Sequence, residues 1–94
     1  MLIQIGWMKC KVKYQNKVFL SNEEVDGLFI PRKNLILINK NLPKDIKLKT
    51  LYHELFHAIL FVFGRVDEWQ DETLVETLAS AFLTIRKQNK KRLF

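Results

Sequence analysis

Both histidines of this chain fall in one pentapeptide, His53-Glu54-Leu55-Phe56-His57, inside a stretch patterned as a helix. Leu48, Leu51, Leu55, Ala58, Ile59 and Val62 recur at intervals of three and four, which sets them along one helical face. Side chains four residues apart on a helix project from the same side, with Cβ atoms about 5–6 Å apart. Two imidazoles so placed can close on one metal ion at roughly 2.0–2.1 Å per nitrogen, the distance zinc prefers. Glu54 reaches the same side and can take a proton from a water held there. After His57 the helix is apolar nearly all round, through Ala58-Ile59-Leu60-Phe61-Val62-Phe63, so that end must be buried. Gly64 is a natural stop.

The remaining pattern sets this helix in an α+β domain. Residues 7–20 carry strand-prone Trp7, Met8, Val12, Tyr14, Val18 and Phe19, broken by the turn signal Gln15-Asn16. Ser21-Asn22-Glu23-Glu24 reads as loop. Gly27–Ile30 and the run Leu35–Ile38 flank Pro31-Arg32-Lys33-Asn34, so residues 27–39 are expected to form a β-hairpin. Pro43 suits the first turn of the helix, with Asn41 as its candidate cap. A second helix begins at Asp67 or Asp71 and runs to about Gln88. Its apolar face is Leu74, Val75, Leu78, Ala81, Phe82 and Ile85. A short connection makes the helices antiparallel neighbours. The expected fold is a small antiparallel sheet from the N-terminal half packed on two antiparallel helices, the first carrying H-E-x-x-H. At 94 residues the chain is expected to be one domain, spanning 1–94.

A catalytic zinc site needs three protein ligands and an open position. A longer form of the motif would carry Gly at 60 and His at 63, but this chain has Leu60 and Phe63. The third ligand must then be acidic, and the second helix offers Glu72 and Glu76, one turn apart. If that helix starts near Asp71, it draws level with His57 about five residues in, and small Ala79 and Ser80 allow close approach. Glu76 is therefore the favoured third ligand and Glu72 the alternative. The other glutamate is then free to accept a ligand imidazole N–H and fix its tautomer. Tyr52, Tyr14 and Arg65 are candidates for stabilising an oxyanion by residue type alone.

The second half of the chain resembles the ImmA/IrrE-type metallopeptidases, small zincins of the gluzincin class found in bacteria and phages. The resemblance rests on Thr50-Leu-Tyr-His-Glu-Leu-Phe-His-Ala-Ile-Leu and on Glu72-Thr-Leu-Val-Glu-Thr-Leu-Ala-Ser-Ala-Phe, and residues 1–26 lie outside it. It implies a short sheet before the active-site helix, and a liganding glutamate on the next helix in the setting Glu76-Thr-Leu-Ala-Ser. It also implies a zinc cofactor and hydrolysis of a peptide bond in a protein substrate such as a repressor. In such a site His53, His57 and Glu76 bind zinc, and Glu54 moves the proton between water and leaving amine.

A second reading is a non-catalytic, zinc-stabilised binding or regulatory domain, since a small chain gains stability from a metal. The net charge of +6 is concentrated in Arg86-Lys87-Gln88-Asn89-Lys90-Lys91-Arg92. That tail is expected to be a solvated helix end, with nucleic-acid contact the minor reading because no nucleic-acid motif accompanies it. Cys10 is the single cysteine, so no intramolecular disulfide forms, and a packed thiol is expected rather than a ligand. No segment is apolar for long enough to span a membrane, and no leader pattern is present, so a cytoplasmic location is expected. Trp7, Trp69 and the seven phenylalanines are expected in the core.

Overall fold

Alternation along residues 8–15 is what makes the N-terminal half a sheet. In the computed structural model, which describes residues 1–93, strand β2 (Met8–Gln15) buries Met8, Cys10 and Val12 and turns Lys9, Lys11 and Lys13 to solvent. Strand β1 (Leu2–Ile5) pairs antiparallel with β2, Ile5 opposite Met8. The chain reverses through Gly6, whose φ of 54° is left-handed, and Trp7. Trp7 is therefore an exposed turn residue, 67% accessible, rather than a core side chain. Phe19 and Phe63 are also exposed, so only part of the aromatic set is core.

Residues 16–26 carry the chain away from β2 and fold on themselves. β3 (Val18–Leu20) and β4 (Glu23–Val25) form a two-stranded hairpin turned at Ser21 and Asn22, with φ of 49° and 69°. Two successive left-handed residues are what the favoured two-residue hairpin turn requires. The expected loop at Ser21–Glu24 is thus half turn and half strand. The expected hairpin over 27–39 is present: β5 (Gly27–Ile30) and β6 (Leu35–Asn39) are joined by a 3-10 turn at Pro31–Lys33, with left-handed Asn34.

The strand order is β1-β2-β6-β5, and β6 lies parallel to β2, with Val12 opposite Ile36 and Tyr14 opposite Ile38. The sheet is therefore mixed, where a wholly antiparallel one was expected. The crossing segment 16–26 delivers β5 at the far edge, and its hairpin partner returns in the middle, running the same way as β2. Being interior explains the apolar run of β6: Ile36 and Ile38 are fully buried, and Leu35 and Leu37 are partly covered.

Helix α1 (Lys44–Val62) lies on the sheet, and Ala58 joins Ile5, Met8, Cys10, Val12, Phe29, Ile36 and Ile38 in the core. Pro43, not Asn41, stands at its cap; the Asn41 amide donates to Asn16 O and ties down the strand ends. Gly64, at φ 78°, ends the helix. The connection then folds back, and Trp69 sets its ring edge-on to Phe61 and Phe29, at centroid distances of 5.3 and 6.2 Å. Helix α2 (Glu72–Gln88) is capped by Asp71, whose carboxylate accepts the Leu74 N–H at 3.0 Å. It packs antiparallel on α1 through fully buried Val75 and Ala79, and Phe82 meets Tyr52 and Phe56. A last turn, α3, covers Lys90–Leu93. The α+β architecture agrees with expectation.

Gly27 sets how closely β5 approaches α1. A Cβ there would stand 2.6 Å from Thr50 Cγ2 and 3.1 Å from Glu54 Cγ. Gly27→Ala is expected to destabilise the fold by about 1–3 kcal/mol, the usual cost of overpacking. Urea unfolding measures this, and an unchanged midpoint would contradict the contact.

Candidate metal centre

α1 turns Thr50, Glu54, His57 and Ala58 inward, and His53 sits on the flank facing α2. The two imidazoles meet through their Nε2 atoms, 3.3 Å apart. Glu72, in the first turn of α2, lays one carboxylate oxygen 2.9 Å from His53 Nε2 and the other 3.0 Å from His57 Nε2. His53, His57 and Glu72 each offer a donor atom within 4.8 Å of the others.

The other ring nitrogens set the tautomers. His57 Nδ1 lies 2.5 Å from the main-chain carbonyl of Trp69, and His53 Nδ1 lies 2.9 Å from Glu76 Oε2. Carbonyl and carboxylate oxygens only accept, so with a cation on the Nε2 atoms each Nδ1 would carry the proton and donate to its partner. Both Nε2 lone pairs then face each other and the Glu72 carboxylate. A proton can relieve one such pair; a divalent cation satisfies all three donors together. Two nitrogens bound to zinc at tetrahedral angles stand roughly 3.3–3.4 Å apart, given Zn–N of about 2.0–2.1 Å. The observed separation agrees with that value, so the residues present fit a zinc ion.

Glu54 is nearly buried between α1 and β5. Burial raises its pKa above the ordinary carboxylate value, opposed by the two imidazoles and by a hydrogen bond from the Phe29 amide, while Glu72 adds to the rise. Glu76 behaves oppositely. The Lys49 ammonium, 2.8 Å from Oε1, holds its carboxyl below the usual range against modest desolvation, and His53 adds to the effect. Ser80 Oγ donates to the same carboxylate at 3.3 Å.

The two glutamates thus exchange the places expected for them. Glu72 stands with the Nε2 atoms, whereas Glu76, the favoured ligand on sequence grounds, sits behind His53 on Nδ1. The helix start at Asp71 is as expected; the path of the connection is what differs. Residues 65–71 fold back over the last turns of α1, so the Trp69 carbonyl is already beside His57. The chain is then level with His57 at residue 72, one helical turn before Glu76. The Trp69 carbonyl and Lys49 were not foreseen. A backbone acceptor has no residue signature, whereas Lys49, one turn before His53, was legible as a cation on the motif's own face.

A cleft of about 1010 Å³ runs past the site, lined by Gly27–Ile30, Lys49, His53, Glu54, His57, Trp69 and Glu72 among others. Its sheet wall is β5, an edge strand of the four-stranded sheet, whereas β6 is interior. Asn39 N–H donates to Asp26 O. By the alternation of an antiparallel ladder, Gly27 and Phe29 then point their main-chain groups away from β6. None of the three oxyanion candidates lines the cleft. Tyr52 takes a hydrogen bond from Arg86, Arg65 binds Glu68, and Tyr14 lies at the end of β2. Cys10 is fully buried, its thiol pKa raised by burial, and distant in sequence from the site. No family model matches the chain, and no curated protein or solved structure does so either.

Proposed function

We propose that this protein is a zinc-dependent peptidase acting on protein or peptide substrates, with His53, His57 and Glu72 as metal ligands. The observation that carries this reading is the pair of Nε2 atoms, 3.3 Å apart, facing one carboxylate while an acceptor oxygen stands behind each Nδ1. When bound, zinc supplies a Lewis acid that lowers the pKa of water to about 7 and polarises a carbonyl. Glu54, beside the imidazoles and steadied by the Phe29 amide, takes a proton from the attacking water and passes it to the leaving nitrogen. Glu76 and the Trp69 carbonyl hold the imidazoles in the tautomer that frees Nε2. An extended substrate adds to the outer edge of β5, where the main-chain groups of Gly27 and the Phe29 carbonyl are available. We place the activity in the cytoplasm, because a lone buried cysteine suits a reducing compartment. Among the described residues no helix is long and apolar enough to cross a membrane.

Native mass spectrometry and a digestion assay on an unstructured protein test the reading together. One zinc per chain is expected after loading, with cleavage that stops on chelation and returns with zinc. Failure to retain any metal overturns it. Zinc retained without cleavage points to the metal-stapled binding domain instead.

A further inference from the structure

One end of this molecule gathers exposed cations from distant parts of the sequence. β2 and β6 run parallel and finish together, where Lys40 N–H donates to Gln15 O at 2.9 Å. Lys13, Lys17 and Lys40 stand around that finish, and α1 begins just beyond it with Lys44. α2 returns antiparallel: Arg86 donates to the Tyr52 hydroxyl. Tyr52 is about 12 Å along α1 at the helical rise of about 1.5 Å per residue. α2 runs on past Arg86 toward the start of α1 with Lys87, and Lys90, Lys91 and Arg92 follow directly in α3. All of these lysines and Arg92 are exposed, and among the described residues none of them is in an ion pair. The acids near this end are Asp26 and Asp45, with Glu23 and Glu24 on the hairpin that leaves it. The opposite end of α1 leads into Asp67, Glu68, Asp71 and Glu72, where the sheet brings only Lys9, Arg32 and Lys33 from the start of β2 and the β5–β6 turn.

We propose that the end where β2 and β6 finish and α1 starts binds the phosphate backbone of single-stranded nucleic acid. Strand ends, a helix start and a helix end from distant parts of the sequence bring their cations together there. The arrangement is a spread of separate point charges, which suits a chain of repeated anions. Tyr14, 43% exposed near the end of β2 on the sheet face that α1 packs against, adds an aromatic face on which a base can stack. The inference does not depend on the metal.

Fluorescence anisotropy with a labelled oligonucleotide of about 20 nucleotides, long enough for one site, tests it. Affinity is expected to fall steeply as salt rises from about 50 to 200 mM. Lys40→Gln with Lys44→Gln, and separately Lys90→Gln with Lys91→Gln, should each weaken binding at least about tenfold at low salt. Each pair should also lower the salt slope by roughly 0.7 per lost phosphate contact. Lys9→Gln with Lys33→Gln removes the same charge from exposed positions elsewhere and should leave the slope unchanged. Circular dichroism confirms that each variant is folded. Three results overturn the proposal: no binding at the lowest salt, equal losses in the control pair, or a polyglutamate peptide that competes as well as an oligonucleotide of equal charge.

Discussion

Glu54→Gln is expected to keep the fold and one zinc per chain while slowing peptide hydrolysis by about 10²–10⁴-fold, the usual worth of a positioned proton carrier. Glutamine is the informative replacement because its amide oxygen still accepts the Phe29 N–H that Glu54 accepts. It fills the same space between α1 and β5, so the close contact at Gly27 is undisturbed. What it removes is a carboxylate that can gain and lose a proton. Zinc content by atomic absorption and kcat on one peptide, measured on the same preparations, separate the chemistry from the scaffold. A glutamine variant that cleaves as fast as its parent would take Glu54 out of the reaction, and one that sheds zinc would make it structural.

The second large effect separates the two glutamates of α2. Glu72→Ala removes the carboxylate that faces both Nε2 atoms. Its zinc affinity should fall well beyond the roughly 10–100-fold that loss of an orienting acceptor costs. Glu76→Ala removes the acceptor behind His53 and the partner of Lys49, and belongs within that 10–100-fold range. Competition titration against a chromogenic chelator reads both constants. The reverse order of effects would return Glu76 to the ligand position. Both replacements sit on an otherwise well-formed helix capped by Asp71, so neither should unfold α2.

What could be read in advance followed how local each signal is. The helix around His53 and His57, its stop at Gly64, the Asp71 start of α2 and the 27–39 hairpin are each written within a few consecutive residues. All four are present. Strand order is not written that way. Alternation in β2 says which side of Val12 is buried, but not that Ile36 will be its parallel neighbour. β1 carries no such signal, because Leu2–Ile5 is too short to show a period, and Trp7 resembles a strand residue while serving as a turn. The β3–β4 turn needed the left-handed backbone of Ser21 and Asn22, for which Asn is a weak cue. At the site, three residues of one helix were legible together. The order of Glu72 and Glu76 was not, because it depends on how far the connection travels back along α1, and periodicity does not report that distance.

The acceptor behind His57 is a peptide carbonyl, and this changes which genetic alterations can reach it. Any side chain at position 69 leaves that oxygen in the chain, although losing the indole would loosen its packing on Phe29 and Phe61. A single insertion or deletion between Gly64 and Asp71 would shift it out of reach without altering any residue of the pentapeptide. Tolerance at this half of the site is therefore a property of chain length, and a motif search scores it as nothing at all.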